Sequence, residues 1–315
     1  MHSPHHIRYL RRQDIDDKIW DACIQSSPGG LIYGKTFFLD GMTAGRWDAL
    51  VLGDYEIVMP LVWKKKWGIR YLYQPAFTQQ LGLFAAAPIP AHVIEAFLEE
   101  TERRYKFAEI FLNHRNMLPG LKPFVNLVLD LHRSYDELVT GYTQKLRYDL
   151  KKAGRSSLRY IQDPSLPDTL SVLRQHYSSQ LPHLSAEDHD RFGTLCGTLQ
   201  KKGQLLLRAI TDDSGQLLAT VLLPRDGKRL YLLQSTVSAA GRGVSANHFL
   251  MDRLICEWAG QPLTLDFEGT EQPGIAHFYR SFGAQDQPYF FYRNNRLPWP
   301  LRYLKPASAG STAGG

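Results

Sequence analysis

The sequence predicts a mixed α/β protein built from two domains. Three features carry that expectation: a length of 315 residues, too great for one typical core; an order of elements that occurs twice; and period-two strands that feed directly into amphipathic helices. An apolar fraction of 43 % with 12 % aromatics is ample for globular cores.

The repeat begins with two hairpins. Gly53–Pro75, GDYEIVMPLVWKKKWGIRYLYQP, and Asp213–Ser235, DSGQLLATVLLPRDGKRLYLLQS, each open on a turn and run a strand to a proline-containing end. Each then turns on basic residues and returns as an aromatic strand. Tyr71 matches Tyr231 at an offset of 160. Asp226–Gly227 predicts a tight hairpin, and Lys64–Lys66 with Gly68 a looser one. Next, Ala91–Leu112 and Ala246–Phe267 each read as an amphipathic helix leading into a strand, at an offset of 155. A period this long means a duplicated domain, since solenoid repeats are much shorter. The expected units are residues 1–133 and 134–306, with 307–315 a flexible tail.

Between the halves, Ser134 and Glu137 form a capping box that starts a helix. Leu138, Val139, Tyr142, Leu146 and Leu150 make its apolar stripe, and Arg147, Lys151 and Arg155 lie opposite. That basic face is either simply solvated or a seat for a phosphate-rich ligand.

Leu265–Ala284, LDFEGTEQPGIAHFYRSFGA, is the most informative stretch. Leu263, Leu265 and Phe267 alternate with Thr264, Asp266 and Glu268, so the two carboxylates are expected on one strand face. Gly269 is expected to let the chain turn sharply, Pro273 to start a helix and Gly283 to end it. Ile275, Phe278, Tyr279 and Phe282 are its inward stripe. At the offset of 155 the first half has Phe111 and Asn113 where the second has Asp266 and Glu268. Only the second half carries acids there, which favours function over a merely solvated strand end.

Composition excludes several classes. Cys23, Cys196 and Cys256 are far apart, which fits a reducing cytoplasm and neither a disulfide framework nor a metal site. The segment Leu81–Leu98 is interrupted by Pro88, Pro90, His92 and Glu95, so no membrane span is expected. The N-terminus lacks the apolar core of a secretory signal, and its three histidines are expected to be solvated. His248 and His277 have no paired ligand or nucleophile elbow and read as structural. A net charge of +6 permits an anionic partner without demanding one.

On these motifs the sequence resembles the GNAT superfamily of acyltransferases in its tandem, Fem-type or FemAB-like form. Phe278–Ala284, FYRSFGA, looks like the GNAT segment L-Y-E-K-L-G-F. Tyr142–Arg155 is similar to the helix that opens the second Fem domain, and LDFEG followed by GIAHFYRSFGA resembles Y-D-F-G-G followed by G-L-Y-x-F-K-x-G-F-G. Gln74–Gly82, QPAFTQQLG, belongs to the same likeness, which covers about residues 5–300. The resemblance implies two tandem GNAT-like domains packed side by side, and transfer of an acyl group from an acetyl-CoA-like thioester to an amine without a metal. It places Tyr279 as the acid that protonates the leaving thiolate, although its position on the apolar stripe fits a core role equally well. The phosphate-cradling motif R/Q-x-x-G-x-G/A is incomplete in SAAGRGVSANHF. With Arg242 first, Ser245 and Asn247 stand where glycines belong. Cofactor contacts are therefore expected from the amides of Arg242, Gly243, Val244, Ser245 and Asn247.

For chemistry, Glu268 is the expected base, and Asp266, one pleat deeper, is expected to orient substrate or support the next helix. Thr78, Gln79 and Gln80 either line an acceptor pocket or cap the sheet, and Arg147 and Lys151 are further substrate-contact candidates. The acceptor is expected to be a small or peptide-like amine. A Fem-type aminoacyl-tRNA donor acting on a cell-wall precursor, and a non-catalytic binding module, are the alternatives; DNA is not an expected partner.

Overall fold

The computed structural model describes residues 6–180, 184–269 and 272–304. His2, His5 and the expected tail at 307–315 lie outside them; His6 is exposed. The chain divides into two compact units. The first takes the chain up to Phe124 and again from Pro288; the second takes Val125–Gln287.

Unit 1 runs β1 (Arg8–Arg11), α1 (Asp17–Ser26), α2 (Thr36–Thr43), β2 (Trp47–Leu52), β3 (Ile57–Lys66), β4 (Ile69–Leu72), β5 (Phe84–Ala85), α3 (Ala91–Arg104), β6 (Phe107–Leu112) and β7 (Lys122–Phe124). Unit 2 runs β8 (Leu127–Asp130), α4 (Tyr135–Thr140), α5 (Gln144–Ala153), β9 (Arg159–Gln162), α6 (Leu166–Gln180), α7 (Ala186–Lys201), β10 (Leu205–Thr211), β11 (Leu217–Pro224), β12 (Arg229–Tyr231), β13 (Gln234–Val237), α8 (Ala239–Gly243), α9 (Ala246–Trp258), β14 (Thr264–Asp266), α10 (Pro273–Arg280) and β15 (Gln285–Asp286). The chain then re-enters unit 1 as β16 (Tyr289–Asn295).

The two units share one strand order. Unit 1 is a sheet β1-β2-β3-β4-β6-β16-β7, with β5 joining β3. Unit 2 has β9-β10-β11-β13 and β12-β14-β8-β15. Among the described residues the named strands that pair in parallel are β4 with β6 and β12 with β14, bridged by α3 and by α8–α9 as parallel neighbours require. The expected duplication therefore holds at the level of topology.

The expected boundary at 133/134 does not match these units. β8 precedes it in sequence yet pairs with β14, Leu129 opposite Leu265, and its Leu127, Leu129 and Leu131 are buried in the unit 2 core. β16 in turn pairs with β6, Phe291 opposite Phe111. The strand beside each crossover strand thus comes from the other half of the chain. Hydrophobic burial decides this, because β8 is too short to cover its apolar face alone.

The capping box of Ser134 and Glu137 is present in both directions, but the helix it starts is short. Gly141 ends α4, and Thr143 caps a second helix, α5, by accepting from the Leu146 N–H. The expected single helix is therefore a broken pair. α10 follows the sequence closely, with proline in its first turn and Gly283 at φ +85° beyond its end.

Candidate active site

In unit 2 the sheet opens between two strands. Arg229, Leu230 and Tyr231 pair in parallel with Thr264, Leu265 and Asp266, and the Leu232 N–H still donates to the Asp266 carbonyl at 2.8 Å. The Leu233 N–H then folds back onto the Tyr231 carbonyl at 2.8 Å in a three-residue turn. Beyond that turn, β13 pairs with β11 and, among the described residues, is an edge strand. The chain leaving β14 follows β8 instead, the Phe267 N–H donating to the Leu127 carbonyl at 2.9 Å. The outer side of β13 therefore lacks a strand partner where β14 falls away.

Unit 1 closes the equivalent place. Leu72 pairs with Ala108, the chain loops out, and Leu81 returns beside β6: its N–H donates to Phe111 at 2.8 Å and its carbonyl accepts from Asn113 at 2.9 Å. Thr78, Gln79 and Gln80 belong to this closing loop and are buried. The Thr78 hydroxyl donates to the Ala76 carbonyl, Gln80 Nε2 to Gln79 Oε1, and Gln80 Oε1 accepts from the His114 N–H. These contacts lie within the loop and reach the chain just past β6.

Glu268 lies at the foot of the opening. It is buried and adopts φ +61°, a left-handed conformation costly for a residue with a side chain. That turn breaks the pleat, so Asp266 and Glu268 do not share a strand face as the alternation had implied. Glu268 itself makes the sharp turn that was expected of Gly269. Asp266 is 1 % exposed and fully engaged. One oxygen pairs with Arg229 at 2.6 Å, and the other accepts from the Glu268 N–H at 3.0 Å. Asp266 thereby holds the backbone of Glu268 in its strained turn, not the helix that follows. Tyr279 is also buried, its ring stacked on Phe267 with centroids 4.6 Å apart at 23°. The ring packs in the core beside the residue that precedes Glu268.

The connection after β13 is not an open glycine loop. Ser238 caps α8 through the Gly241 N–H at 3.0 Å, and Ser245 begins α9 in a left-handed conformation, φ +57°. Arg242 is exposed and donates to the Val237 carbonyl at 2.9 Å; Gly243 is exposed. The Oδ1 of Asn247 is buried without a hydrogen-bond partner among the described residues. Gly241 lies flat on β11, where an added Cβ would come 2.3 Å from the Leu218 carbonyl oxygen. Gly241→Ala is expected to cost about 1–3 kcal/mol by forcing α8 off the strand, read as a lower urea midpoint.

α5, α9 and α10 frame a cavity of about 120 Å³ lined by Lys145, Asp149, His248, His277 and Phe278 among others. Asp149 pairs with Lys145 at 3.0 Å and lies 3.6 Å from His248 Nε2. Both histidines read as structural thus face a cavity; their spacing on separate helices gave no local signal. Burial holds the His248 imidazole below its ordinary value of 6.5, with Asp149 raising it and Lys145 lowering it again. The unfolded chain therefore binds this proton first as pH falls. Stability linked to His248 is complete above about pH 6.5 and is lost below it. His248→Gln should flatten that part of a urea-midpoint profile against pH.

Arg147 does not join an open basic face. It wraps back to the carbonyls of Val139, Thr140 and Tyr142 and so closes the end of α4. Lys151 remains exposed. Arg229, which the sequence reading passed over, is the residue that fixes Asp266. Its visible trace was a cation at the first position of β12, directly after Lys228.

The two units share this strand order, and in unit 2 the sheet is open beside its crossover strand. Residues 142–278 match the family described as acetyltransferase (GNAT) domain. No curated protein matches the sequence. Among solved structures the chain is similar to FemX, at 15 % identity and TM-score 0.67, covering 94 % of this chain and 99 % of that one. It is similar to L-PGS from Bacillus licheniformis at 14 % identity and TM-score 0.51, over 92 % and 95 % of the two chains. It also resembles N-myristoyltransferase from Saccharomyces cerevisiae at 11 % identity and TM-score 0.50, over 92 % and 82 %. The fold is the tandem GNAT fold of the Fem type. No helix among the described residues is long and apolar enough to cross a membrane.

Proposed function

We propose that the protein is an N-acyltransferase that passes an acyl group from a thioester to an amine at the open edge of β13. The observation that carries this reading is the parting of β13 from β14 with Glu268 at its foot. A strand with no second strand beside it suits an amide-rich thioester arm that lies alongside it. Glu268 accepts the amine proton as the C–N bond forms. The C–S bond breaks, and Tyr279 supplies a proton to the leaving thiolate. Asp266, held by Arg229, positions Glu268. An acyl-CoA donor fits two further features: the exposed guanidinium of Arg242 for a phosphate, and the orphaned Asn247 Oδ1 for an amide N–H. Gly243, Val244 and Ser245 complete that proposed contact stretch. The structure of the yeast enzyme of similar fold carries myristoyl-CoA.

Acetyl-CoA is expected to raise the melting temperature, with Arg242→Glu weakening binding at least about tenfold by replacing attraction with repulsion. No shift with acetyl-CoA or longer acyl-CoA would remove the thioester reading.

A second reading, an aminoacyl-tRNA donor of the Fem type, is favoured by α5. Lys145, Tyr148, Lys151 and Lys152 are exposed on it, Tyr148 by 69 %, with Arg155 following. Salt-sensitive binding of charged tRNA, weakened by Lys151→Glu, would support it.

A further inference from the structure

The hairpin of β3 and β4 in unit 1 carries an exposed aromatic tip that acyl transfer does not use. Its strands pair Lys64 with Tyr71, Lys65 with Arg70 and Lys66 with Ile69, leaving a two-residue loop of Trp67 and Gly68. Both have positive φ, +49° and +78°, the geometry of a type I′ turn. Asparagine or glycine suits the first of these places; a bulky tryptophan there is strained. The indole is also 69 % exposed, so it buries little to offset that strain. Folding does not account for a tryptophan at this point.

The charge around it is one-sided. Ile57–Tyr73 contains Lys64, Lys65, Lys66 and Arg70 and no acid. The pleat sends Lys65 and Arg70 to one face of the ribbon and Lys64 and Lys66 to the other. Asp48 approaches Arg70 at 3.8 Å, but the three lysines have no ion-pair partner among the described residues.

We propose that this hairpin docks the protein on an anionic phospholipid surface. An exposed indole flanked by long cationic stems matches the headgroup layer, where tryptophan lies at the interface and lysines reach the phosphates. The alternative, stacking of single-stranded nucleic acid, needs open ring faces. Here the ammonium of Lys66 lies 4.7 Å from the Trp67 ring centre, that of Lys64 4.2 Å from Tyr73, and the Arg70 guanidinium 4.2 Å from Trp63. Each ring already has a cation over one face, which favours lipid.

The test uses the full chain and sedimentation with vesicles of phosphatidylcholine alone or mixed with phosphatidylglycerol. Binding is expected only to the mixed vesicles, at low salt, and to weaken about fivefold for each of Lys64→Gln, Lys65→Gln and Lys66→Gln. Trp67→Gly should weaken it about tenfold while leaving the fold at least as stable, since glycine accepts this φ. The proposal is overturned if the mixed vesicles do not carry the protein down at low salt. Binding that is untouched by Trp67→Gly and the triple lysine variant overturns it too. Capture of a short single-stranded RNA, lost in these same variants while vesicles stay unbound, would assign the tip to nucleic acid instead.

Discussion

Asp266→Asn is expected to destabilise unit 2 by about 3–5 kcal/mol, because it leaves the Arg229 guanidinium charged and without its carboxylate in the core. Asp266 and the Arg229 side chain are 1 % and 9 % exposed, so water cannot replace the lost partner. Gln287 Oε1 still accepts from the other end of the guanidinium at 2.8 Å, which places the loss toward the lower end of that range. Arg229→Met should cost a similar amount by stranding the carboxylate. The double variant Arg229→Met with Asp266→Leu should recover much of the loss, since it buries no charge. Urea unfolding of the four proteins measures this cycle. Additive losses in the double variant would show that the pair is not the unit holding this strand end. Turnover should fall in Asp266→Asn as well, because an amide has one acceptor for the two donors, Arg229 and the Glu268 N–H, that Asp266 serves, and so steadies the left-handed turn less well.

Glu268→Gln should lower kcat/KM by about 10²-fold or more, equivalent to about 2.7 kcal/mol of transition-state stabilisation, with unfolding changed far less than in Asp266→Asn. Glutamine keeps the size and the strained backbone and loses only the proton acceptor. Glu268→Gly gives the complementary result: relief of the positive φ should raise stability while activity falls as in Glu268→Gln. Activity that rises or holds in Glu268→Gly would assign the acid a structural place and leave the reaction without its base. A reversal, with full turnover in Glu268→Gln and none in Asp266→Asn at matched folded fraction, would exchange the two roles.

What the sequence determined by itself is local and short in range. Pro273 and Gly283 bound α10, Ser134 and Glu137 start α4, and β3 turns back into β4 at the expected place, because each depends on residues within a few positions. The duplicated order of elements was equally legible, since period-two and period-3.6 patterns recur in the same succession. Tertiary structure decided the rest. β12 and β14 are three residues each, too short for periodicity to say which neighbour they take. That choice opens the sheet at Leu232–Leu233 in unit 2, whereas Leu81 closes it in unit 1. Alternation put Asp266 and Glu268 on one face, yet Arg229, distant in sequence, captures Asp266 and the chain turns left-handed at Glu268. The exchange of β8 and β16 was likewise invisible, because a strand's pattern records that it has a buried face and not whose core receives it.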